Sequence, residues 1–330
     1  MLNEMNNQTP DTLVQAFEAI FSDDVTLSEA LYQNMALPDS AYLGTRLTKK
    51  MLIDSAAHNG HPLSAQEKQL ISDVIQSVEW RYTLKPDTIN IAPLVTEQVE
   101  YPEIAIVHLL LKPQHEVSDK ALFASFTKLA KLLHKLIPYP LLLVAEHNGA
   151  VALSLADKRI NQADKAKLVI EHSYCTPWFA LNTPNNPNRL TTNQQTFLLD
   201  FSLKNASSIN YYALYQDLMA MLIALETSQV TGSYQATSQV IRHLVSRFVD
   251  DGQSSAHLGN VTPSDATYVN GADKSNSEKT ALLKQLESTE AELNAIRNKL
   301  KKETQMNNKM RLNVEARKLK LTIADIKAQL

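Results

Sequence analysis

Two carboxylates, Asp87 and Glu103, stand where a metal-dependent nuclease of the PD-(D/E)xK pattern would place its ligands. That chemistry needs an acidic residue near one strand and Glu-x-Lys on the next. The carboxylates then hold a divalent metal while the lysine polarises the attacking water. Here the residue two after Glu103 is Ala105, and Lys112 lies too far along the strand to substitute. The pattern is incomplete, so Mg²⁺ enters only under this nuclease reading and no other cofactor is expected. Five of the nine histidines, His108, His115, His134, His147 and His172, fall in one stretch, but their spacing matches no zinc signature. Cys175 has no cation or helix start beside it to make a thiolate, and reads as a small buried hydrophobe. Trp80 and Trp178 read as core aromatics.

The elements that must position these groups follow from periodicity. Residues 11–78 read mostly as helix, with Leu13, Phe17, Ile20 and Phe21 at helical spacing. Thr26–Glu29 and Ser64–Glu67 have capping-box spacing. Val78–Leu84 alternates with period 2 as a strand should, Lys85-Pro86-Asp87 reads as a turn, and Thr88–Ile91 as a short second strand. Glu103–Leu111 is a β-branched apolar run, and Asp119–Leu136 an amphipathic helix. Pro140–Glu146 and Ala150–Leu155 flank Asn148-Gly149, the hairpin signal. Lys167–Tyr174 is one more strand; Asn210–Leu225 and Gln235–Val249 are helical. The predicted class is α/β in the α+β sense, a mixed sheet with flanking helices.

Composition bounds the function. With 330 residues, 44% hydrophobic and 20% charged, the chain can bury a sizeable core. A net charge of −3 gives no general attraction to nucleic acid. A single cysteine fits a reducing cytosol, and the first residues lack the basic stretch of a secretory signal, so a cytoplasmic protein is expected. No apolar run approaches a membrane span. Only 7 residues are glycine, and no Walker A or dinucleotide loop is present.

Three of those glycines fall in the Asp-, Ser- and Asn-rich residues 251–277, which read as a flexible linker between a globular body, 1–250, and a C-terminal segment, 278–330. That segment holds 9 Lys and 3 Arg against 6 Glu and 1 Asp, a net +5 against −8 for the rest. One heptad frame puts Leu286, Leu293, Leu300, Asn307, Val314, Leu321 and Ala328 at a; Leu282, Thr289, Ile296, Glu303, Met310, Arg317 and Ala324 fall at d. The d series fails at Glu303 and Arg317. Two structures fit: a continuous coiled-coil rod with Asn307 fixing register, or a hairpin of two helices turning at Asn307-Asn308. Arg297, Lys301, Lys302, Asn307, Lys309 and Arg311 are the candidate partner-binding residues. The segment has no aromatic residue, so base stacking is not expected there.

Several stretches together resemble a bacterial family, the domain of unknown function numbered 4391. They are Leu43-Gly44-Thr45-Arg46-Leu47-Thr48-Lys49-Lys50, Val78 through Ile91, Glu103-Ile104-Ala105-Ile106, Ile137-Pro138-Tyr139-Pro140, Lys158, and Lys302 through Lys309 running into Leu312–Ala316. Thr48 departs from the family's proline before the paired lysines. The resemblance implies an accessory or adaptor subunit beside helicases and DNA methyltransferases in defence or restriction-like loci. The expected partner is such a large subunit, with DNA-backbone contact or homodimerisation through the C-terminal helices as further expectations; an enzymatic role is the minority reading.

Overall fold

A computed structural model describes residues 12–22, 25–58, 62–113, 118–163, 168–181, 190–238 and 274–330. Two compact units divide these residues. One holds those up to Leu222 together with Gln235–Ser238; the other holds Ile223–Tyr234 and 274–330.

The first unit is built on a six-stranded sheet of order β1-β2-β5-β6-β7-β8. Its strands are β1 (Tyr42–Leu47), β2 (Ile75–Leu84), β5 (Ile104–Leu111), β6 (Leu141–His147), β7 (Ala150–Ile160) and β8 (Leu168–Cys175). Only β5 and β6 run parallel, and the crossover between them is the helix α6 (Asp119–Leu136). The other neighbours pair antiparallel, so the mixed sheet expected from the sequence is present. Asn148 (φ 50°) and Gly149 (φ 80°) close the β6–β7 hairpin, a turn that Asn-Gly can make without steric cost.

Most of the longer helices of this unit start where a side chain satisfies their orphan N–H groups. Thr12 begins α1 (Leu13–Glu18), and Thr26 begins α2 (Leu27–Met35). After α3 (Lys49–His58), full capping boxes open α4 (Ala65–Val74, Ser64 with Glu67) and α7 (Thr192–Asp200, Thr191 with Gln194). Ser118 caps α6. On one sheet face, α6 presses Leu122, Phe126, Leu129 and Leu133 into Val107, Leu109, Leu141, Leu143 and Ala145. Each such side chain contributes about 1.5–3 kcal/mol on full burial. On the other face, the helix α8 (Tyr211–Thr231) is pinned by Tyr215 Oη, which accepts from Ala156 N–H at 3.1 Å and donates to Leu141 O at 2.8 Å. Asn34 Nδ2 donates to the carbonyls of Leu198, Leu199 and Phe201, closing the end of α7.

Two local expectations are corrected. Thr88–Ile91 is not a strand. The proline at the first helical position starts a single turn, α5 (Pro86–Ile89), with Asn90 left-handed (φ 51°) behind it. A small ribbon of β3 (Leu94–Val95) and β4 (Glu100–Tyr101) fills the path to β5. Residues 42–47 are β1, not helix, and the strand is exposed almost throughout. The expected helix Gln235–Val249 lies outside the described residues beyond Ser238, as do His115 and 251–273 of the expected linker.

In the second unit, α9 (Asn276–Lys302) and α10 (Met306–Gln329) form an antiparallel hairpin, so of the two structures that fit the sequence the hairpin forms. Lys274 Nζ donates to Gln329 O, and Lys327 pairs with Glu290 at 3.2 Å. The turn is Glu303–Gln305, not the Asn pair. The Glu303 carboxylate accepts the N–H groups of Thr304 and Gln305 at 2.8 Å, and Asn307 and Asn308 lie in the first turn of α10. The heptad frame matches the buried positions of α9 from Leu286 through Thr289, Leu293 and Ile296, while nearer its start Thr280 and Leu283 are buried in place of Leu282. It shifts across the turn: α10 packs with Leu312, Ala316, Leu319, Ile323 and Ile326, while the expected a residues Val314 and Leu321 face solvent.

Candidate functional site

The turn at Glu303–Gln305 gathers the six residues expected to bind a partner at one end of the hairpin. Arg297, Lys301 and Lys302 occupy the last turns of α9, and Asn307, Lys309 and Arg311 the first turns of α10. All are exposed except the half-buried Lys309. Arg297 and Lys301 line an open depression of about 540 Å³ with Asn294, Asn298 and Leu300. Lys299, Lys301 and Lys302 also sit at the negative end of the α9 dipole, which favours cations there.

Beside this cationic end, α10 carries a second apolar stripe. Met306, Met310, Val314 and Leu321 recur at spacings of four, four and seven, on the side away from the packed residues, and are 57–71% exposed. These four large apolar side chains form one exposed stripe along the helix.

Of the two carboxylates of the nuclease reading, Asp87 lies in α5 and Glu103 just before β5, and the charges of both reach Tyr211 at the start of α8. Asp87 and Glu103 both act on Tyr211, whose buried phenol is pushed up to about 12, first by burial and then by these two charges. Among the described residues, the Tyr211 hydroxyl has no hydrogen-bond partner. Lys85 pairs with Asp87 at 3.3 Å, so a lysine does stand at this place, although not in the Glu-x-Lys position. Among the described residues, no group of three or more His, Cys, Asp or Glu side chains is arranged to hold a metal ion.

A polar network that the sequence reading did not find joins α2 to the sheet. His108 Nδ1 meets Tyr32 Oη at 3.0 Å, and its Nε2 lies 3.5 Å from Glu146, which accepts from Ser28 Oγ at 2.7 Å. Arg81 stacks over the Tyr32 ring at 4.5 Å and pairs with Glu29 at 2.9 Å. Burial holds the imidazole below its ordinary value against the pull of Glu146, and lifts the Tyr32 phenol well above its own. At neutral pH an un-ionised phenol therefore meets a neutral imidazole, with the donor set by the imidazole tautomer. The signal available in sequence was polar residues at period-2 positions of otherwise apolar strands, Arg81, His108 and Glu146. Next to the network, Gly44, Arg46, Gln76, Ser77 and Glu79 line an open groove of about 430 Å³ along β1 and β2.

Cys175 is half-buried and packs against the apolar core under α6. Its thiol donates to Ser154 Oγ at 3.4 Å, and that oxygen lies 3.0 Å from His134 Nε2. Burial keeps His134 neutral, well below its ordinary value, so it is not a base able to draw a proton from the thiol near pH 7.

Among the described residues, no helix is long and apolar enough to cross a membrane. Searches of curated proteins and of solved structures each return no match. A family model described as "Domain of unknown function (DUF4391)" matches residues 35–247, from the end of α2 through the sheet and α8. That match covers well over half of the 330 residues, and the chain belongs to the DUF4391 family.

Proposed function

We propose that this protein is a non-enzymatic accessory subunit of a bacterial defence or restriction-like assembly, working in the cytoplasm and binding a large helicase or methyltransferase subunit. The C-terminal hairpin is the principal grip and the α/β body a second contact. The observation that carries this reading is the hairpin's composition: one side of α10 is spent on packing against α9, and a second apolar stripe is left exposed beside a cluster of cations. A solitary hairpin does not need that second stripe. The cations at the turn are placed to meet an acidic partner surface or a DNA backbone.

Affinity capture of the tagged chain from its native cells, read by mass spectrometry with and without nuclease treatment, tests the reading. The expected result is a helicase or methyltransferase retained after nuclease treatment and lost when residues 278–330 are deleted. Retention by the truncated chain, or recovery of the protein alone, overturns it.

A second reading is a divergent Mg²⁺-dependent nuclease. The charges of Asp87 and Glu103 both act on one buried phenol, and Lys85 pairs with Asp87 at 3.3 Å, which supports it. Under that reading Glu103→Ala abolishes DNA cleavage in Mg²⁺ or Mn²⁺. Absence of cleavage by the clean wild-type protein, alone and with its partner, rules it out.

A further inference from the structure

The exposed stripe of α10 carries its own charge pattern. Arg317 sits within the stripe, between Val314 and Leu321 on the same side of the helix. By helical spacing Lys318 and Arg311 fall along one flank of the stripe, and Lys309 and Lys320 along the other. Over Met306–Gln329 there are six Lys or Arg against two Asp or Glu, and Lys327 is already paired with Glu290. The surface is therefore an apolar seam with cations on both sides and one in the middle.

We propose that this seam is a docking site for an acidic amphipathic helix of a partner protein, one whose apolar face carries a carboxylate opposite Arg317 and whose flanks are Asp- or Glu-rich. The inference rests on the reading of the hairpin as the partner-binding element and specifies the partner's chemistry. Three occupants compete for such a surface, and Arg317 discriminates among them. A second copy of this chain would set Arg317 and its flanking cations against the same row, a like-charge contact that disfavours self-pairing. An anionic lipid surface would accept the flanking cations, but seating the stripe in the acyl region would carry the Arg317 guanidinium with it. An acidic helix satisfies every part: its apolar residues cover Met306, Met310, Val314 and Leu321, and its carboxylates pair the flanks and the central arginine.

The test uses the full chain and three probes. One is a synthetic amphipathic helical peptide with a leucine stripe flanked by Glu; the second is the same peptide with Lys for each Glu; the third is phosphatidylcholine vesicles containing phosphatidylserine. The Glu peptide binds the wild-type chain and the Lys peptide does not. Leu321→Ser, at a position 61% exposed and so compatible with folding, weakens the Glu peptide at least tenfold with an unchanged circular dichroism spectrum. The triple variant Arg317→Glu, Lys318→Glu, Lys320→Glu loses the Glu peptide and gains the Lys peptide. Equal binding of both peptides overturns the proposal, as does binding of vesicles without the Glu peptide. Light scattering that shows a dimer dissolved by Leu321→Ser overturns it in favour of a second copy. If the native partner is lost on deleting 278–330 while the Glu peptide fails to bind, only this inference falls and the hairpin reading stands. If the partner survives the deletion, the hairpin reading itself falls.

Discussion

Lys158 Nζ donates to the carbonyl of Ile137, the residue that ends α6, at 2.6 Å, and to Tyr139 O at the same distance. A buried amine on β7 thus holds the turn by which the crossover helix returns to the sheet. Burial pushes this amine from 10.5 down to about 7, although the two carbonyls at a helix C-terminus favour its charged form. The folded value lies below the unfolded one, so between about pH 7 and 10 the unfolded chain holds a proton that the native chain has released. Stability contributed at this site rises with pH across that window. Urea titrations of wild type and Lys158→Met at pH 6, 7.5 and 9.5 should show the wild-type advantage growing with pH. At the alkaline end the variant, with two unpartnered carbonyls, should be about 1–3 kcal/mol less stable.

The network around His108 responds in the acid range. His108 and His134 are both held below 6.5 by burial, so as the pH falls through 6.5 the unfolded chain takes up protons first and the native state loses stability. Tyr32→Phe, which removes the phenol from His108 Nδ1, should cost about 1–2 kcal/mol at pH 7.5. In an NMR titration the buried His134 should remain neutral at pH 6; a protonated ring there would contradict the structure.

The two stripes of the hairpin separate cleanly by mutation. Leu293→Ala and Ile296→Ala empty the packed interface and should each cost about 2–4 kcal/mol of hairpin stability, within the range for buried Leu or Ile truncations. Leu321→Ala, on the exposed stripe, should change it by no more than about 0.5 kcal/mol. Reversal of that order by thermal denaturation would mean that Val314 and Leu321 form the packed face after all.

Gly44 has φ +62°, and a Cβ there would come within 2.9 Å of the Tyr42 ring. The ring can swing aside but the backbone angle cannot be relieved, so Gly44→Ala should destabilise the body by about 1–2 kcal/mol. It should also release the Tyr42 hydroxyl from Glu79, with an upfield or downfield shift of the Tyr42 ring signals as the measure.

The sheet and α6 were legible because their residues alternate or repeat strongly: Ile104–Leu111 and Asp119–Leu136 sit within a residue of where periodicity put them. β1 was not, since an edge strand with a left-handed Gly44 and solvent on both sides has no alternation to read. α7 escaped although Thr191 and Gln194 spell a capping box, because its apolar residues cluster instead of repeating. In the hairpin, the heptad frame was right from Leu286 to Ile296 and beyond the turn belonged to the wrong face. Both stripes of α10 are apolar, and sequence alone cannot say which one meets α9. The His108 network stayed hidden for a related reason: its members come from α2, β2, β5 and β6, and only the folded sheet makes them neighbours.

Cys175 is the only thiol in the chain, and it ends β8 with its sulfur on a serine that also holds a neutral histidine of α6. A maleimide dye therefore has a single address. Its attachment rate reports how accessible this half-buried seam between helix and sheet stands, a one-colour readout that needs no engineered cysteine and that a bound partner would slow or leave unchanged.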